Sequence, residues 1–148
     1  MSNAACPVPR RDDQDEAELI RRMVRAQRIA VVGLSDDPSR PSYGVARYLL
    51  SAGKEIVPVN PNHATVMGLT CYARLEDVPG PIDLVDVFRR PQYCAEVARS
   101  AIAMGAKGIW LQSGIRDAEA KLLSAAAGVD FVEDRCLMVE HMRAVGSR

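Results

Sequence analysis

Apolar residues recur along this chain in two alternating rhythms, short unbroken runs and longer stretches at helical spacing. From Asp13 to Gln27, Ala17, Ile20, Met23 and Val24 share one helical face, and Glu18 and Arg22 are spaced to pair on the other. Ile29-Ala30-Val31-Val32 is then a continuous apolar run ending at Gly33, the pattern of a strand buried on both faces. A helix is predicted from Tyr43 to Ala52, with Val45, Leu49 and Leu50 inward and Gly53 stopping it. Ile56 to Val59 reads as a second strand and Leu69 to Tyr72 as a faint third. Leu84 to Phe88 is a fourth, followed by a helix that Pro91 opens and Gly105 follows. Gly108 to Leu111 is a fifth. Asp117 caps a helix running to Ala127, closed by Gly128; Val129 to Val132 is a sixth strand, and a last helix spans Leu137 to Ala144.

Strands alternating with helices predict an α/β fold of the Rossmann-like, doubly wound kind, a mostly parallel sheet with helices on both faces. Right-handed crossovers favour the strand order 3-2-1-4-5-6. With 148 residues, 48% hydrophobic and 26% charged, the chain is sized and composed for one globular domain, residues 1–148, behind a loose head at 1–11.

Charge narrows the partners. Nineteen basic and nineteen acidic residues cancel, so no net field favours nucleic acid or an anionic membrane, and an anionic ligand must be held by local groups. Cys6, Cys71, Cys94 and Cys136 form no CxxC pair, which argues against structural zinc and a disulfide framework. No apolar run has the length of a membrane span or the pattern of a secretory signal. The expected location is the cytoplasm.

In such sheets, ligands bind beyond the carboxyl ends of the strands. Five segments fall there: Gly33-Leu34-Ser35, Asn60-Pro61-Asn62, Phe88-Arg89-Arg90, Gln112-Ser113-Gly114 and Asp134-Arg135-Cys136. Gly33 holds the place of a phosphate loop before a helix N-terminus, yet the sequence is not GxGxxG; Asp36 to Ser42 is a long insertion before the next glycine, Gly44. The second strand ends in Val59-Asn60-Pro61, where an NAD-binding domain carries a carboxylate for the ribose. A neutral end tolerates a ribose bearing phosphate, as coenzyme A does at its 3′ position. Arg40 can supply a cation for a phosphate.

These residues resemble the small CoA-binding proteins related to the CoA-binding domain of the succinyl-CoA synthetase alpha subunit. The likeness runs from Ile29 to Met142, through Val32-Gly33-Leu34-Ser35, Arg40 to Ala46, Pro58-Val59-Asn60-Pro61, Asp86 to Pro91, Trp110-Leu111-Gln112 with Gly114-Ile115, and Asp134-Arg135-Cys136 with Val139-Glu140-His141. It implies that Gly33, Leu34 and Ser35 cradle phosphate while Ser39, Arg40 and Tyr43 close over the nucleotide. Val59, Asn60 and Pro61 would border the 3′-phosphate end, Val87, Phe88 and Arg89 the adenine or diphosphate, and Gln112, Gly114 and Ile115 the pantetheine route. The synthetase's phosphohistidine and nucleotide-grasping segments have no counterpart among these motifs. The expectation is therefore a non-catalytic binding or regulatory module for CoA or acyl-CoA, as a homo-oligomer or beside a synthetase-like partner chain. The alternative is an enzyme or subunit using CoA in acyl-transfer or ligase chemistry, or in thiol redox with Cys136.

Other residues have a plainer reading beside the functional one. Cys136 is the candidate thiol, with Arg135 placed to lower its pKa and His141 and Glu140 nearby, but a buried, inert cysteine is the commoner outcome. His63 is expected in a solvent-facing loop. Asp86 stands in an apolar strand and needs a partner, for which an arginine is expected. Trp110 reads as core, and Arg47, Arg99 and Arg143 as solvated faces. Neither histidine has the spacing of a metal site.

Overall fold

The run Ile29–Val32 is buried on both faces, as its pattern requires: Ile29 and Val31 join one apolar cluster, Ala30 and Val32 the other. The structure, a computed structural model, describes residues 11–146, with side chains from residue 15 onward; the loose head expected at residues 1–11, Cys6 included, lies outside the described residues except for Arg11, which opens the first helix. In chain order, α1 (Arg11–Met23) leads to β1 (Arg28–Val32), α2 (Pro41–Ser51) and β2 (Glu55–Val59). A small hairpin follows, β3 (Thr65–Val66) and β4 (Leu69–Thr70), then a single 3-10 turn at Leu75–Asp77. The rest alternates regularly: β5 (Leu84–Val87), α3 (Pro91–Ala103), β6 (Gly108–Leu111), α4 (Ala118–Ala127), β7 (Asp130–Val132) and α5 (Leu137–Gly146).

The main sheet has five strands in the order β2-β1-β5-β6-β7, every neighbouring pair parallel. Residues from α1, α2 and α5 pack on the face carrying Ile29, Val31, Leu84 and Trp110, while α3 and α4 cover the face carrying Val32, Val59, Val87 and Leu111. Trp110 is core, as expected, and its indole N–H donates to the Arg135 carbonyl at 2.8 Å. Strand order reverses between β1 and β5, so the crevice at their carboxyl ends is the topological switch point.

The expected third strand is the main correction. Met67 and Gly68 both have positive φ, 56° and 75°, the geometry of a tight two-residue hairpin turn, so Leu69–Thr70 folds back antiparallel on Thr65–Val66. Only Tyr72 reaches the main sheet, where its N–H donates to Pro58 and its carbonyl accepts from Asn60. The expected order thus stands for the five long strands, with one residue in the third strand's place. The helix α1 ends at Met23, short of the predicted Gln27, because Gln27 is drawn into the sheet: its carbonyl accepts from Glu55 N–H. Arg22 makes its close contacts with Asp130, a two-pronged pair at 3.0 and 2.8 Å, and the expected pull of Glu18 remains as a weaker one. At α4 the local signals act as read: Asp117 Oδ2 accepts from Ala120 N–H and Gly128 ends the helix at φ 69°.

Candidate functional site

Gly33 leaves β1 at φ 86°, its N–H donating to the Val59 carbonyl at 2.8 Å. A Cβ built on it would stand 2.5 Å from the Phe88 carbonyl oxygen. Glycine is therefore required here by the packing of β1 against β5, before any ligand is considered. Leu34 is fully buried, so only its backbone can face a ligand; its carbonyl accepts from Asn60 Nδ2 at 3.0 Å. The Ser35 N–H donates to Ser42 Oγ, Ser35 Oγ accepts from Asp37 N–H, and Asp37 Oδ1 accepts from both Ser39 N–H and Ser39 Oγ–H. Those two Ser39 donors, the backbone one foremost, hold the Asp37 carboxyl below its ordinary range. The long insertion is thus a self-bonded loop that delivers the chain to the N-terminus of α2. Arg40, just before that helix, is exposed, with its Nε 3.9 Å from Asp37 Oδ2, and Tyr43 is half-buried in the first turn.

On the α3 side of this loop lies a cavity of about 530 Å³. Gly33, Val59, Pro61 and Arg89, all singled out in the sequence, line it together with Val32. The sequence reading missed the other half of its wall: Arg74 and Leu75 from the turn after the hairpin, and Tyr93, Val97 and Ser100 along α3. Arg89 lies over the Tyr93 ring, 4.5 Å from its centroid, and among the described residues makes no ion pair. Arg74 is paired with Glu76, whose carboxyl is held low by Ser100 first and Arg74 second. Apolar Val32, Val59, Leu75 and Val97 line the cavity beside the charged side chains of Arg89, Glu96 and Arg99; Arg99, expected on a solvated face, is paired with Glu119. The end of β2 offers Asn60 and no carboxylate, its side chain spent on the Leu34 carbonyl and the Asn62 N–H.

The remaining expected residues lie off this cavity. Ser35, Ser39, Arg40 and Tyr43 form the adjoining loop and helix start; Val87 is buried and Phe88 half-buried beneath Gly33. Gln112, Gly114 and Ile115 follow β6: Ile115 packs toward α3 and α4, and the Gly114 N–H donates to Asp134 at 2.7 Å. That bond, with Arg116 second, holds the Asp134 carboxyl low. Cys136 sits at the start of α5, half-buried against the α1/α2/α5 core, and does not line the cavity.

The neighbours expected to activate Cys136 are occupied elsewhere. Arg135 bonds Glu16 at 3.2 Å and approaches Glu140 at 3.5 Å, and His141 Nδ1 meets the Tyr48 hydroxyl at 2.8 Å. Burial, then Lys54, lowers the His141 pKa. Asp86 has no arginine. It is wholly buried, Gln112 Nε2 donates to its Oδ1 at 2.6 Å, and Oδ2 has no partner. Burial pushes this carboxyl up to about 7, against the pull of the Gln112 bond. Among the described residues no group of acidic, histidine or cysteine side chains is arranged to hold a metal, and no helix is long and apolar enough to cross a membrane.

Residues 27–142, which contain the whole of this strand edge, match the family described as CoA binding domain. The chain belongs to that CoA-binding-domain family. Within reach of it are proteins of similar size and parts of larger ones. YneT, an uncharacterized protein of Bacillus subtilis, is 38% identical over 126 residues, 85% of this chain and 93% of its own length. The solved structure of a hypothetical protein from Pyrococcus horikoshii is 35% identical, with a TM-score of 0.85 over 99% of this chain and all of that one (100%). The alpha subunit of ADP-forming acetate–CoA ligase II from Pyrococcus furiosus is 32% identical over 82 residues, 55% of this chain but 17% of the subunit. The CoA-binding-domain chain therefore spans a small part of that ligase subunit, and the likeness agrees with the expected relation to synthetase alpha-type domains.

Proposed function

We propose that this CoA-binding-domain protein binds coenzyme A across the carboxyl edge of its sheet, as a binding or regulatory module without a catalytic set of its own. The observation that carries the reading is the 530 Å³ cavity at the switch point, where Val32, Val59 and Val97 stand beside Arg89, which makes no ion pair among the described residues. Val32, Val59 and Val97 suit the adenine, and Tyr93 braces Arg89 beside the diphosphate. The 3′-phosphate would lie toward Asn60 and Pro61, at a strand end that itself carries no carboxylate. Gly33, Leu34 and Ser35 would serve by letting the backbone come close to a phosphate, since the Gly33 and Ser35 N–H groups already donate to Val59 and Ser42, with the α2 N-terminus adding its dipole and Arg40 a cation. From there the pantetheine arm would run past Gln112, Gly114 and Ile115.

Amide chemical shifts followed during CoA addition test the placement. The expected shifts cluster at 33–43, 59–60, 74, 87–100 and 112–115; shifts confined to other faces contradict it.

Similarity to the acetate–CoA ligase alpha subunit favours a second reading, in which the chain works beside a nucleotide-grasping partner. Co-purification of such a chain, with acyl-CoA formed by the pair and not by either alone, supports that reading. A CoA adduct formed under mild oxidation on wild type and absent from Cys136→Ser would instead favour thiol redox.

A further inference from the structure

Asp86 lies on β5 between Val31 of β1 and Trp110 of β6, in an apolar stretch of the sheet. A fully buried carboxyl with one hydrogen bond and no cation is costly, so it is a poor packing choice for this position. Its single partner is Gln112, the first residue after β6, itself only 4% exposed. A carboxyl oxygen accepting at 2.6 Å dictates which way the amide turns, since only Nε2 can donate. The amide oxygen is thereby pointed away from Asp86. Among the described residues it accepts no hydrogen bond, and it is not among the fully buried polar atoms that lack one, so Gln112 Oε1 keeps a little contact with solvent just past the carboxyl end of β6.

Resting on the CoA reading above, we infer that Asp86 is a positioning residue, which fixes the Gln112 amide so that its Oε1 accepts a hydrogen bond from an amide N–H of the pantetheine arm. Pantetheine carries two secondary amides, and a buried, preset acceptor reads one of them at little cost in side-chain entropy. The device works in either protonation state of Asp86, because a neutral carboxyl still presents an oxygen to Nε2.

The test compares CoA with adenosine 3′-phosphate 5′-diphosphate, which is CoA without its pantetheine arm. Asp86→Leu keeps the shape and removes the acceptor; its affinity for CoA falls on the order of tenfold, the worth of about one hydrogen bond. Affinity for the arm-less nucleotide stays within about twofold of wild type on the same argument. Asp86→Asn, which keeps an acceptor oxygen, restores CoA binding. Gln112→Met shows the same split, and adding Asp86→Leu to it costs nothing further, because the two act as one unit. Should Asp86→Leu not fold, Asp86→Ala takes its place in the same comparison. Equal losses on both ligands, undiminished CoA binding in the Leu or Ala variant, or additive losses in the double variant overturn the inference. Binding of neither ligand by wild type overturns the CoA reading itself, and the inference with it.

Discussion

Gly33 and Phe88 touch backbone to backbone: a Cβ on Gly33 would lie 2.5 Å from the Phe88 carbonyl oxygen, and Gly33 holds φ at 86°. The contact joins the carboxyl end of β1 to that of β5 at the point where a ligand is expected, so glycine serves fold and site together. Gly33→Ala is expected to cost about 2 kcal/mol or more, from the left-handed backbone and the forced shift of Phe88. Urea unfolding measures it. A variant as stable as wild type would show that β1 and β5 can separate without loss.

Asp86 makes stability depend on pH. Its carboxyl is raised from an ordinary 3.8 to about 7 in the folded chain. Between those values the folded state keeps a proton that the unfolded state has lost, so this residue's contribution falls as pH rises through the window and then levels off above it. Asp86→Asn cannot titrate, and its stability relative to wild type should rise between pH 5 and pH 8, by a few kcal/mol at most. Urea midpoints at the two pH values give the answer; a difference that does not change with pH contradicts the burial argument.

Arg89 and Arg40 should separate affinity from stability. Arg40 is exposed and at 3.9 Å from Asp37 makes only a weak ion pair, so Arg40→Ala should alter stability by less than about 0.5 kcal/mol. Arg89→Ala also removes the stack on Tyr93, worth about 0.5–1 kcal/mol. Both should weaken CoA binding and flatten its salt dependence, Arg89 by about tenfold or more, the worth of a charge-assisted bond to phosphate. Titrations at two ionic strengths check this, and unchanged affinity in Arg89→Ala would remove the cation from the account.

Asp117→Ala should lower stability by about 1 kcal/mol without touching ligand affinity, because the Asp117 side chain caps α4 away from the cavity. A loss of CoA affinity in this variant would show that the α4 end shapes the site.

What the sequence made legible was what local signals determine. Asp117 and Gly128 bound α4 by their own hydrogen bond and backbone angle, and Gly108–Leu111 is a strand because every residue of it is buried. The third strand failed because Met67 and Gly68 reverse the chain, leaving Tyr72 alone against β2. The end of α1 was misread because pairing of Gln27 with Glu55 is a tertiary event that helix periodicity does not register. At the site, strand ends located Gly33, Val59, Pro61 and Arg89, but Tyr93, Val97 and Ser100 look like ordinary helix surface until α3 is docked. Leu34 was expected at the ligand by its motif, and burial leaves it only a backbone role. Asp86 was recognisable as anomalous, though its partner proved to be a glutamine 26 residues away in sequence.

Calorimetric titration of the purified chain with CoA, dephospho-CoA and NAD decides which nucleotide the strand edge takes. Saturable binding of CoA is expected, with dephospho-CoA weaker by about tenfold or more for want of one charge-assisted phosphate contact, and no binding of NAD. Equal affinity for CoA and dephospho-CoA would contradict the 3′-phosphate assignment, and binding of NAD alone would contradict the CoA site.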